Sequence, residues 1–343
     1  MNLSTINIFL LISCFLLCCE PSIKKEEKLS STIDSSTASS YDPPEPPTKN
    51  PGEIDFNIFS KQDIILQDPF NPTEALHKLY HGDTIKDEWD EYGYPFLEIW
   101  KCDNCSQKKF EGTIIGDTIL FPAPNGNDTR ILNVYDFEDA EKNKFKIMAT
   151  TSSEFSPYHE RVGRYCCGIL GLSLFQKKEN AWKLIAFNPA LGCFGMFQKV
   201  NKPEIIPDKY TFLLLLNNIV GGPAEPYWGD LSIIGLYNKE FKILLKESFT
   251  YRSGTFEGNP SWNTEVKIEH CENLFPKNIQ LIIAGDFNYE KFIENDTISN
   301  LPKILRDKVK SGDDFLFEIK REYEFKKSNY IFSNERLMTK EKK

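Results

Sequence analysis

Six of the nine cysteines lie well inside the chain: Cys102, Cys105, Cys166, Cys167, Cys193 and Cys271. They have the most chemistry to offer. Cys102-Asp103-Asn104-Cys105 has the spacing of a redox pair or of half a zinc knuckle. A redox pair of that kind opens a helix within a βαβ unit. Here Gly112 soon interrupts, and Asp103-Asn104 reads as the turn of a hairpin. A zinc site would recruit Cys166, Cys167 and His159, but adjacent cysteines point in different directions and seldom reach one metal. An even number of cysteines favours disulfide bridges in an oxidising compartment. Bridges, buried thiols, a metal site and a redox pair thus all stand as expectations for these six and His159.

Other reactive patterns are thin. His77 and His81 are four apart, a spacing that shares one helix face, but Gly82 follows and no His-Glu-x-x-His supplies a base. A solvated helix end is expected. No Gly-x-Ser-x-Gly elbow exists, and Ser173 sits mid-strand, where its hydroxyl should alternate outward. Gly221-Gly222-Pro223 lacks the Lys-Ser or Lys-Thr of a phosphate loop. Asn125-Gly126-Asn127-Asp128 clusters oxygens but lacks the ladder of a calcium loop, so a polar hairpin turn is expected. With 50 acidic residues, paired carboxylates carry no signal. Nothing calls for a cofactor or names a catalytic residue.

Two Gly/Pro-rich segments offer recognition chemistry instead. Residues 221–229 place Tyr227 and Trp228 in a loop, and residues 251–262 form a second one with Arg252 and Trp262. Loops on a rigid scaffold collect binding residues, and Trp, Tyr and Arg are the usual anchors of a recognition surface. The binding reading requires Tyr227 and Trp228 to be exposed and close to Arg252. The opposing reading has these aromatics folding back over the core edge.

What must position these residues is a β scaffold. Aromatics make up 13 % of the chain, with 26 Phe against 4 Met, a palette suited to pleated, half-buried surfaces. The fold class expected is mainly β with antiparallel sheets and two short helices, one after Asn71-Pro72 and one after Leu301-Pro302. Strand runs fall at 94–100, 112–121 and 130–137. A weak repeat follows: strands at 145–150, 210–215 and 279–284, each leading to a hairpin, at 171–187, 230–249 and 314–332. In each hairpin an aromatic opens the second strand, namely Trp182, Phe241 and Tyr323. Such a repeat implies propeller-like or meandering three-stranded units.

The two ends of the chain differ from this body. Residues 1–19 carry no charged side chain and are apolar from Ile8 to Cys19 except at Ser13. The run is too short to span a bilayer and fits the core of an export signal. Leu11-Ile12-Ser13-Cys14 resembles the lipobox of bacterial lipoproteins. The resemblance implies that Cys14 is lipidated and becomes the mature N-terminus, with Cys19 as the alternative acceptor. Residues 20–53, rich in Ser, Pro and charge, should form a disordered tether. The folded body should span 54–334, with 335–343 a flexible basic tail. The net charge of −9 argues against nucleic acid as a partner. The expectation is a lipid-anchored exported protein, held at the membrane of the cell envelope and facing the periplasm or the cell surface. It would bind a protein or glycan partner or serve the envelope. The alternative is a metal- or disulfide-dependent enzyme built on Cys102, Cys105, Cys166 and Cys167.

Overall fold

In the computed structural model strands take up 70 % of the described residues, in several antiparallel sheets. The structure describes residues 63–80, 82–85, 96–98, 107–112, 118–124, 126–154, 167–196, 199–220, 227–253, 262–269, 278–290 and 301–342. All belong to one unit, Lys49–Lys343. Cys14, Cys19, the tether, Cys102, Cys105, His159, Cys166 and Cys271 lie outside the described residues. No helix among the described residues is long and apolar enough to cross a membrane.

The first sheet has seven strands. Its centre is a meander of long strands: β6 (Asn127–Glu138), β7 (Lys144–Glu154), β8 (Gly168–Lys178) and β9 (Ala181–Phe194). Short strands flank it, with β1 (Ile65–Gln67) beside β9, and β2 (Asp83–Ile85) and β3 (Phe96–Glu98) beyond β6. A separate hairpin pairs β4 (Lys108–Glu111) with β5 (Thr118–Phe121). Successive strand residues point to opposite faces, and β7 is buried on both: Ile147 and Ala149 join one core, Met148 another. The second core is closed by α1 (Pro72–Tyr80), which buries Ala75, Leu76, Leu79 and Tyr80. Asn71 starts this helix by accepting the amides of Thr73 and Glu74 at 3.0 and 3.2 Å, and Pro72 occupies the first turn, where its missing N–H costs nothing. Because α1 covers this face, Ser173 does not reach solvent as expected. It is buried and directed at the Met148 carbonyl.

The second sheet runs in chain order through eight strands: β10 (Glu204–Pro207), β11 (Phe212–Val220), β12 (Tyr227–Tyr237), β13 (Glu240–Ser253), β14 (Trp262–Glu269), β15 (Asn278–Asn288), β16 (Asp314–Lys326) and β17 (Asn329–Glu341). Phe212, Leu214, Leu216, Ile234 and Phe241 pack on the first sheet. The other face buries Leu213, Leu231, Ile233, Ile279, Leu281, Tyr323 and Tyr330. A neighbouring cluster of Trp262, Ile283, Phe287, Phe317 and Ile319 is plugged by Leu301 and by Leu305 of the one-turn helix α2 (Lys303–Arg306). Of the two arrangements the repeat implied, the meander is the one found. All three expected hairpins form, as β8–β9, β12–β13 and β16–β17. Asn238 and Lys239 both take positive φ (52° and 64°), as the commonest two-residue hairpin turn requires.

Three expectations about boundaries change. The third hairpin turns at Lys327–Ser328, so the buried aromatic equivalent to Trp182 and Phe241 is Tyr330, while Tyr323 lies in the preceding strand. Residues 335–341 are not a free tail, because β17 pairs with β16 as far as Glu341. Asn127 and Asp128 open β6 rather than forming a turn; Gly126, at φ 97°, makes the turn before them.

The connections sort by end. Both sheets make tight turns at one end: 139–143, 179–180, 208–211, 238–239 and 327–328. That these share one end follows from the Ala140 amide donating to the Lys209 carbonyl and from the Tyr237 hydroxyl donating to the Lys327 carbonyl. The longer segments 155–167, 221–226, 254–261 and 289–313 all connect strands at the opposite end, where the Gly195 amide donates to the Asn218 side chain across the two sheets. Residues 270–277 are the exception, joining β14 to β15 at the turn end.

Candidate functional site

The loop end is where the candidate residues gather. On the first sheet, Asp128 pairs with Ser153 across β6 and β7, and the Ser153 hydroxyl donates a hydrogen bond to the Asp128 carboxylate. Arg130 lies 3.5 Å from the same carboxylate. Burial pushes the Asp128 carboxyl above its ordinary range, against the opposing pull of Ser153 and Arg130. Beside it Asn127 accepts the Ala123 amide at 2.8 Å and donates to the Ser153 carbonyl at 3.0 Å. On the opposite face Thr129 and Ser152 share a hydrogen bond of 2.8 Å. The run Thr150-Thr151-Ser152-Ser153 thus ends a buried strand in hydroxyls, nearly all of them partnered. The Thr151 hydroxyl is the exception, with no partner among the described residues.

Cys167 and Cys193 form a disulfide at this end, joining the start of β8 to the end of β9 with Cα atoms 5.5 Å apart. Two of the six expected bridge or metal candidates are therefore paired with each other, and Cys167 is not available to a metal in this state. No group of three or more His, Cys, Asp or Glu among the described residues is arranged to hold a metal ion. The chain leads from Glu98, which pairs with Asp128, toward Cys102, and from Glu154 toward His159 and Cys166.

On the second sheet, Asp230 pairs with Asn218, and burial raises its carboxyl while the Lys246 charge lowers it. Tyr227 and Trp228 are not in a loop as expected. They open β12, while Arg252 lies near the end of β13. The register pairs Trp228 with Arg252 and Arg252 with Trp262, so two segments distant in sequence stand side by side. The expected closeness to Arg252 is present in the backbone; the exposure of Tyr227 and Trp228 concerns side chains outside the described residues. Trp262 is buried, 2 % exposed, against Ile283 and Phe287, so its ring belongs to the core.

His77 lies elsewhere, on α1, its Nε2 hydrogen-bonded to the Thr84 hydroxyl at 2.8 Å. It lines an open hollow of about 920 Å³ with Asp63, Asn71, Glu74 and Lys78, and Lys78 is already engaged by Glu74 at 2.7 Å and by the Ile65 carbonyl.

Of Asp128, Ser153 and Asp230 the sequence singles out Asp128 alone, in the oxygen-rich run Asn125-Gly126-Asn127-Asp128; Ser153 and Asp230 it does not. The available signal was four hydroxyl residues in a row directly after the apolar run Ile147-Met148-Ala149. The Asp128 carboxylate, the Arg130 guanidinium and the Thr129, Ser152 and Ser153 hydroxyls satisfy one another at the rim of the sheets and hold the ends of β6 and β7 in register. Comparison with protein-family models, with curated proteins and with solved structures finds no match for this chain.

Proposed function

We propose that the protein is a lipid-anchored exported protein that binds a protein or glycan partner through its loop end. The observation that carries the binding reading is the row Trp228–Arg252–Trp262. It brings the two aromatic segments together where the connections 221–226 and 254–261 leave the sheet. Export is supported by the Cys167–Cys193 bridge, since disulfides persist in oxidising compartments. Anchorage rests on the lipobox-like Leu11-Ile12-Ser13-Cys14.

Photo-crosslinking in intact cells tests the binding reading. A photoreactive residue at position 228 or 252 should capture a discrete partner, whereas one at Lys239, in a tight turn at the other end, should not. Equal capture at both ends, or none at 228 and 252, removes the reading. Metabolic labelling with an alkyne fatty acid tests the anchor. Label should be lost in Cys14→Ala, or in Cys19→Ala if that is the acceptor, and label surviving the double variant excludes both.

The enzyme alternative rests on Cys102, Cys105, Cys166 and His159 once Cys167 is bridged. Native mass and thiol counting separate the two: bound metal with thiols appearing only on denaturation favours the enzyme.

A further inference from the structure

The eight-stranded sheet is joined unevenly. β14 and β15 pair along their length, from Trp262↔Gly285 to Glu269↔Asn278, and β15 and β16 pair just as fully. Between β13 and β14 the described residues give one pair alone, Arg252↔Trp262. The sheet therefore has a seam. On one side β10–β13 are fastened to the first sheet through Phe212, Leu214, Ile234 and Phe241. On the other, β14–β17 carry Trp262, Ile283, Phe317 and Ile319 around Leu301 and Leu305.

One ionic network crosses this seam. Arg321 of β16 donates through Nη1 to Glu247 of β13 at 2.9 Å and through Nε to Glu335 of β17 at 2.6 Å. All three side chains are largely withdrawn from solvent, at 13, 22 and 18 % exposure for Arg321, Glu247 and Glu335. Arg321 stands opposite Leu281, on the face that buries the apolar residues of the sheet's interior. Apolar contacts across the seam are non-directional and tolerate sliding. A guanidinium shared by two carboxylates has fixed geometry, and removing one member leaves a buried charge uncompensated. Apolar residues of similar volume would serve packing as well, so the network's contribution is a directional contact that, with the Tyr237–Lys327 hydrogen bond at the turn end, fixes one arrangement of the seam.

We infer that Glu247, Arg321 and Glu335 form a latch across a hinge between β13 and β14, and that β14–β17 swing as one body when it opens. The inference concerns the scaffold and does not depend on the binding reading.

Hydrogen exchange followed by mass spectrometry on the full chain tests it, comparing the wild type with Arg321→Met and Glu247→Gln. In Arg321→Met the amides of β13 beyond Glu247 and those of β14 should exchange about tenfold faster, while those of β7 and β8 keep their wild-type rates. Faster exchange spread evenly over both sheets would mean global loss of stability and overturn the hinge. Unchanged exchange at the seam would overturn the latch. Should Arg321→Met fail to fold, Glu247→Gln, which keeps a hydrogen-bond acceptor, must show the same local pattern, and its absence overturns the proposal equally.

Discussion

The Tyr80 hydroxyl lies 2.7 Å from Oγ1 of Thr150, deep between α1 and the first sheet, and the pair sits directly over Gly171. A Cβ at position 171 would stand 2.3 Å from the Tyr80 hydroxyl, 2.4 Å from Thr150 Oγ1 and 3.0 Å from the Pro189 carbonyl. Glycine is required there for space.

Gly171→Ala should therefore destabilise the fold by roughly 1–3 kcal/mol, the usual cost of forcing extra volume into a packed interior. Tyr80→Phe removes the nearest atom, so the double variant should recover part of the loss, with a coupling of about 0.5–3 kcal/mol in a urea double-mutant cycle. Additive losses would mean that the hydroxyl is not what a methyl meets.

Removing the Cys167–Cys193 bridge should lower stability by about 2–4 kcal/mol, the usual range for a disulfide. The closed loop is intermediate in length, with a sequence separation of 26. Cys167→Ala and Cys193→Ala should shift the urea midpoint alike, and the double variant no further. Reductant should shift the wild type by more than it shifts either variant. A wild type indifferent to reductant would show that the bridge contributes nothing.

Asp128 sets a dependence on pH. Its carboxyl is raised in the fold, chiefly by burial, so the folded form binds this proton more tightly than the unfolded chain. The stability linked to it is fully present below the unfolded pKa, about 4, and is lost as pH rises through the folded value. Asp128→Asn cannot ionise. The urea midpoint of the variant minus that of the wild type should grow from pH 4 to pH 7, and a flat difference would contradict burial as the dominant influence.

Asp68 carries the opposite sign. Hydrogen bonds from Lys177 at 2.8 Å and from the Trp182 indole at 2.9 Å hold its carboxyl below the ordinary range. Its stabilisation is present above the unfolded pKa and lost as pH falls through the folded one. Asp68→Asn should be less stable than the wild type at pH 7, and the two should converge in acid. Persistence of the gap at low pH would show that shape, and not charge, matters there.

How much of this could be read from the chain depends on how local the signal is. The hairpins were legible because Lys, Glu and Asn turns interrupt runs of alternating or apolar residues, as at Asn238-Lys239. The same signal misplaced the third aromatic, since Lys326-Lys327-Ser328-Asn329 leaves the turn's phase open and β17 carries an extra residue, Ser333, between the partners of Glu322 and Tyr323. Tyr227 and Trp228 read as loop because Gly221, Gly222, Pro223 and Pro226 precede them, while strand pairing with β13 decided otherwise. Ser173 was read as facing out because nothing local reveals that α1 covers that face. Glu247 and Arg321 lie 74 residues apart, and only the curl of the sheet brings them together.

The separation of tight turns from long connections has a consequence for change over time and at the bench. The turn end depends on individual residues in unusual conformations, among them Asn238, Lys239 and Lys327 at positive φ, so even small edits there disturb the pairing of strands. At the other end, chain can be lengthened between strand termini at modest entropic cost, outside the core-filling Leu301 and Leu305 of 289–313. The molecule is therefore modular along one axis, with a frame that resists drift and a rim that can be rewritten.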